Sequence, residues 1–212
     1  YNQVTSNLKL TVVALGLMPV LQPHRASASN AICGDISSST TLTAAGGPYV
    51  VTCSLNVPSG VTLTIEADAI LKFNAGTSLV VRGTLSSQGT KANPVVFTSF
   101  GDDAYGGDTN GDGSSSGNPG DWGGVTLTGG SYTLSGCLIR FGGYSSDPNL
   151  VSPAALKVTS RFSGTLESNT IYGCAPNMGP YSGSGIFVNS PCTVTDNTII
   201  CTTVGTHGGP IG

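Results

Sequence analysis

The residues best placed to do chemistry are acidic and gather between positions 101 and 121. Asp102 and Asp103 are followed by Asp108-Thr109-Asn110-Gly111-Asp112-Gly113, and then by Asp121-Trp122. Asp108, Asn110 and Asp112 alternate ahead of a glycine. In that spacing successive side-chain oxygens wrap a hard cation, and the glycine allows the sharp turn between them. An EF-hand loop would place its last acid at Pro119, so that pattern fails; Asp121 lies two residues further on. The expectation is a Ca2+-stabilised surface loop drawing ligands from Asp102, Asp103, Asp108, Asn110, Asp112 and Asp121. Five of the chain's 11 acidic residues fall in this stretch, which holds no Lys or Arg, so it requires a counter-charge. The competing reading is an Asp/Asn/Gly-rich turn that caps its own backbone.

Other chemistry is poorly supplied. A polysaccharide lyase needs acids and a cationic base on one face, and the cations available are Lys72, Arg82, Lys91, Arg140, Lys157 and Arg161. Arg140 follows the Ile139 column and is expected to point outwards, where it could meet an acid, though nothing pairs it specifically. Glycoside hydrolysis needs paired carboxylates, and Asp147, Glu167 and Asp196 are scattered. No catalytic residue and no organic cofactor site is assigned. Trp122, the single tryptophan, reads as a plug under the 101–121 loop rather than an exposed sugar platform. Thr-Leu-Thr occurs at 41–43, 62–64 and 126–128, at intervals too irregular for the Thr array that ice binding needs. Two distant histidines and six cysteines without a C-x-x-C pair argue against zinc or thioredoxin chemistry.

The elements that must position these residues are short strands. Of 212 residues, 31 are Gly and 12 Pro, and only 9% are charged. Such a chain favours many strands joined by tight turns. The net charge of −3 with no basic run argues against nucleic acid as a partner. From about Ile32 small apolar runs alternate with Gly, Asn, Asp or Pro: Val61, Leu63 and Ile65; Ile70 or Leu71 with Phe73; Leu79 and Val81; Leu85; Val95 or Val96 with Phe97. Three segments beginning at Leu134, Leu166 and Val194 align without gaps. They place Ile139, Ile171 and Ile199 in one column, and Cys137, Asn169 and Asn197 in another. Stacked copies would bury the isoleucines as one core and let the asparagines form an amide ladder.

Those features, with the stretches GVTLTIEADAILKF, GGDTNGDG, GDWGGV and CLIRFGG and the SNTI and DNTI cores, resemble the right-handed parallel β-helix repeat regions of bacterial secreted and cell-surface proteins, the pectate-lyase-like β-helix superfamily. The resemblance covers most of residues 34–202. It implies an all-β, right-handed parallel β-helix (β-solenoid), and it leaves activity open, because this fold carries lyases, hydrolases, adhesins and inert scaffolds.

Two segments are expected: an N-terminal apolar stretch over 1–31 and a parallel β-helix over 32–212 with the long loop at 101–121. The apolar run around Leu8, Leu10, Val12, Val13, Leu15 and Leu17 is too short for a stable membrane span. It reads either as a retained export signal or as an assembly arm that adds to a neighbouring subunit, with a fragment as a third option. Cys33 and Cys53 are about one coil apart and could pin the N-terminal cap. Cys174 and Cys201 fall in adjacent columns, with Cys192 as an alternative partner for Cys174; Cys137 is free or paired with a remaining cysteine. Disulfides imply an oxidising compartment, outside the cell or at its surface. The functional expectation is an extracellular structural or adhesive solenoid, a candidate surface-filament subunit that self-associates through its N-terminal arm. The alternative is a polysaccharide-binding or polysaccharide-degrading protein.

Overall fold

The computed structural model describes residues 29–143, 154–174 and 185–200. The apolar segment with Leu8, Leu10, Val12, Val13, Leu15 and Leu17, together with Asp147 and Cys201, lies outside the described residues.

Among the described residues there are 17 strands and one 3-10 turn, Ala44–Gly46. In chain order the strands are β1 (Asn30–Asp35), β2 (Thr40–Leu42), β3 (Tyr49–Val57), β4 (Thr62–Glu66), β5 (Ile70–Phe73), β6 (Ser78–Val81), β7 (Thr84–Gln88), β8 (Val95–Ser99), β9 (Gly124–Leu127), β10 (Tyr132–Ser135), β11 (Cys137–Arg140), β12 (Leu156–Val158), β13 (Gly164–Glu167), β14 (Thr170–Tyr172), β15 (Ile186–Val188), β16 (Thr193–Thr195) and β17 (Thr198–Ile200). Every pairing between them is parallel, and from β4 onwards each strand pairs with the strand three further along. The chain therefore runs through three ladders in turn. The first is β3-β5-β8-β11-β14-β17, the second β3-β6-β9-β12-β15, and the third β2-β4-β7-β10-β13-β16. The nine-residue β3 joins the first two ladders, with its start pairing β5 and its end pairing β6. β1 follows β3 along both, so among the described residues the stacked strands begin at Asn30.

Alternation along each strand drives this arrangement. Leu63 and Ile65, Leu71 and Phe73, Leu79 and Val81, and Leu85 turn inwards and are fully buried. Each stacks on the equivalent residue of the next coil, so no coil has to bury its apolar side alone. The predicted columns hold: Ile139 pairs with Ile171 and Ile171 with Ile199, while Leu134 pairs with Leu166 and Leu166 with Val194.

At the corner from the third ladder to the first, the backbone turns through a left-handed residue: Gly136 (φ 56°), Ser168 (φ 55°) and Asp196 (φ 54°). Only glycine fits at 136, because a Cβ there would run into Gly89 and Thr90. The column after it forms the amide ladder. Asn169 Nδ2 donates to Asn197 Oδ1 at 2.9 Å and to the Leu134 carbonyl at 2.9 Å, and Asn169 Oδ1 accepts the Cys137 backbone N–H at 2.8 Å. Buried amides that are fully paired in this way set the stacking register.

The opposite corner, from the first ladder to the second, takes the long insertions: 100–123, 141–155 and 173–185 all leave a first-ladder strand and return to a second-ladder strand. On the lowest coil that corner is closed by the Cys33–Cys53 disulfide, with Cα atoms 5.0 Å apart, where the β1–β3 register shifts between Ile32 and Gly34. Replacing both cysteines by serine should lower the unfolding free energy by about 3 kcal/mol, as closure of a loop of this size does. Urea unfolding of the variant beside the oxidised parent checks this. An unchanged midpoint would mean that β1 contributes nothing to the cooperative unit.

Candidate functional site

The 101–121 loop folds back over the outer side of the first ladder. Gly106 reaches Pro48 and Ile70, and Gly117 lies so close to Phe141 and Ser99 that no side chain fits there. Its turns are held by its own acids. The Asp103 carboxylate accepts the Ser115 backbone N–H at 2.7 Å. The Asp108 carboxylate accepts those of Gly111 and Gly113 at 2.6 and 3.1 Å. The Asp121 carboxylate accepts the Asn118 N–H at 2.8 Å and the Ser99 hydroxyl at 2.6 Å.

The counter-charge that the loop lacks comes from the ladder beneath it. Lys72, in β5, is fully buried; its ammonium donates to the Gly107 carbonyl at 2.7 Å and lies 3.9 Å from Asp103. Burial lowers the Lys72 pKa, opposed by the charges of Asp103, Asp102, Asp108 and Asp112. Arg140 points outwards as expected, and the acid it meets, which the sequence did not single out, is buried Asp102, 3.3 Å away, whose carboxylate also accepts the Thr98 hydroxyl. The Arg140 guanidinium lies over the rings of Tyr105 and Phe141, at 4.9 Å each, and of Tyr172 at 5.3 Å. Residues that should face solvent in β5 and β8, namely Lys72, Val96 and Thr98, are buried because the loop covers them.

Trp122 ends the loop as the plug expected of it. It is fully buried, stacks on Phe73 at 4.0 Å with 10° between planes, and donates its indole N–H to the Arg140 carbonyl at 2.8 Å. The chain re-enters β9 through Gly124, whose φ of 94° and position 2.6 Å (from a notional Cβ) to the Ala155 carbonyl demand glycine.

The six sequence-predicted ligands divide. Asp103, Asp108 and Asp112 each bring an oxygen within 4.8 Å of the other two. Asn110 joins them, donating Nδ2 to Asp112 at 2.8 Å, while its Oδ1 is shielded from solvent and has no hydrogen-bond partner. Asp102 and Asp121 are committed elsewhere, to Arg140 and Thr98 and to Ser99 and Asn118.

No family model matches this chain, and neither a curated protein nor a solved structure matches it. Its functional reading therefore rests on its own geometry.

Beside the loop a groove of about 340 Å³ crosses the outer side of the first ladder, lined by Lys91, Tyr105, Leu138, Thr170 and Thr198 among others. Sequence reasoning missed the partners Lys72, Arg140, Thr98 and Ser115. The unbalanced acidity of the loop was the available signal, but it named no partner, because the cations lie on other coils. The remaining cysteines are also sorted. Cys174 is disulfide-bonded, and its expected partner Cys201 lies outside the described residues. Cys192 and Cys137 are free thiols. Burial pushes the Cys137 thiol up to about 12, against the weaker pull of its hydrogen bond with Ser87. No helix among the described residues is long and apolar enough to cross a membrane.

Proposed function

We propose that this chain is an extracellular right-handed parallel β-solenoid that serves as a structural or adhesive scaffold at a cell surface, self-associating into a filament. The unbroken parallel stacking from β3 to β17, with its buried apolar columns and the Asn169–Asn197 ladder in the last described coils, carries this reading, because it makes a stiff element whose growth direction is the coil axis. Right-handedness follows from the near-universal hand of parallel strand crossovers. The Cys33–Cys53 disulfide suits an oxidising compartment. Electron microscopy of the purified full-length chain tests the reading. Rods or filaments that disappear when residues 1–28 are deleted support assembly through the N-terminal segment. Dispersed single particles at all concentrations would remove the filament.

A Ca2+ ion fits the loop. Asp103, Asp108 and Asp112 with the orphaned Asn110 Oδ1 supply hard oxygen donors, and three carboxylates outweigh the single Lys72 ammonium. The ion would brace the loop over the first ladder rather than act on a substrate. Saturating Ca2+ at about a hundredfold over its dissociation constant should stabilise the fold by about 2.7 kcal/mol. A chelator should reverse this, and Asp112→Asn should abolish it. Identical melting curves with Ca2+ and with chelator would sink the assignment.

The groove beside Tyr105 supports the second reading, a polysaccharide-binding surface, since an aromatic ring flanked by hydroxyls and one lysine is a sugar-stacking arrangement. Glycan binding that is lost in Tyr105→Ala would favour it.

A further inference from the structure

The third ladder carries no long insertion, and its outer side has a column of hydroxyls beside one that includes Glu66, Gln88 and Glu167. Its register is unshifted in every pairing. It places Thr41, Thr64, Ser86, Thr133, Thr165 and Thr193 in one column, one residue per coil over six coils. None of the six is buried. Two residues earlier runs a second, mixed column of Ser39, Thr62, Thr84, Ser131 and Ser163, which ends at Pro191. Thr62 pairs with Thr84, the Thr84 and Ser131 hydroxyls are 3.4 Å apart, and the Ser39 hydroxyl accepts the Thr62 backbone N–H. The apolar residues between the columns, such as Leu63, Leu85 and Tyr132, point into the core.

We infer that this outer side of the third ladder is an ice-binding face, a function beyond the scaffold reading and independent of it. Along the coil axis the hydroxyls repeat at the strand spacing of about 4.8 Å, and along each strand at about 6.6 Å, twice the rise per residue. The axial repeat is close to the oxygen repeat along the a axis of hexagonal ice, while the along-strand repeat is shorter than that along its c axis. Threonine is β-branched and stiff at χ1, so its hydroxyl and methyl positions are set by the backbone and little freedom is lost when water orders over them. The two columns contain no ionisable side chain, which suits a neutral lattice; Glu66 and Glu167 lie in the next column, at the border. No aromatic side chain stands on the two columns, and that places ice ahead of a crystalline polysaccharide as the occupant.

The test uses the full-length chain. Fluorescently labelled protein is applied to a growing ice hemisphere, and inhibition of recrystallisation is measured in parallel with adsorption to microcrystalline chitin and cellulose. Thr133→Tyr interrupts the long column. Thr126→Tyr is the control, placed on the outer side of the second ladder between Val80 and Lys157. Circular dichroism and melting establish that both variants fold, and Thr64→Lys replaces Thr133→Tyr should the latter fail to. The parent should coat ice and the control should match it, while the column variant should need about tenfold more protein for equal inhibition. A parent that leaves ice bare, equal losses in column and control variants, or adsorption to polysaccharide crystals without adsorption to ice would each overturn the inference.

Discussion

Trp122→Ala should remove about 3–5 kcal/mol of stability, the range for truncating a large buried aromatic. The indole is fully enclosed and stacked on Phe73, its N–H caps the Arg140 carbonyl, and its backbone bridges to Gly142 on the next coil. Truncation leaves a cavity, orphans a carbonyl and unseats the C-terminal end of the 101–121 loop at once. Trp122→Phe keeps the stacking and loses the hydrogen bond, so it should cost less. Urea unfolding followed by circular dichroism gives both values. A loss below 1 kcal/mol for the alanine variant, on the order of one net hydrogen bond, would mean that the coil closes over the gap and that the indole is not what holds the corner.

Lys72→Met should be of similar size, about 3–5 kcal/mol, because it removes one partner of a buried ion pair and leaves the other charged. The side chain has no exposed surface, and the acids around it, Asp103 first, rely on its ammonium. Removing Asp103 as well should recover part of the loss. Lys72→Met/Asp103→Asn is therefore expected to be less destabilised than the sum of the single variants. The same substitution separates ammonium from metal as the loop's counter-charge. With the ammonium gone, Ca2+ should bind more tightly, since a cation near the three carboxylates no longer repels it. Additive losses in the double variant would show that Lys72 acts through packing alone.

The Arg140 environment explains why lone acids and bases on stacked parallel strands are hard to assign from one dimension. Asp102 and Arg140 are far apart in sequence, and so are Lys72 and Asp103, yet each pair meets because the loop between β8 and β9 folds back across neighbouring coils. The alternation in Val95–Ser99 would leave Val96 and Thr98 on the surface, and both are buried under that loop. Local pattern describes one strand and the core beneath it; it is silent on what lies above.

The acidic loop between 101 and 121 shows both sides of this. Read alone, the chain determined that the loop exists, that its aspartates need a cation, that Trp122 plugs its end, and that short parallel coils stack through the Ile139, Ile171 and Ile199 columns. Those are consequences of local turn chemistry, of alternation, and of repeats that align without gaps. Tertiary structure alone decided that the cations set against the loop are Lys72 and Arg140, and that Asp103, Asp108 and Asp112 of the predicted set converge, with Asn110 beside them. It also decided that threonines at irregular sequence intervals form a regular column. The intervals differ because insertions of different length enter at the corner between the first and second ladders. The third ladder lies away from that corner, so its register is set by coil stacking and not by the number of residues between coils.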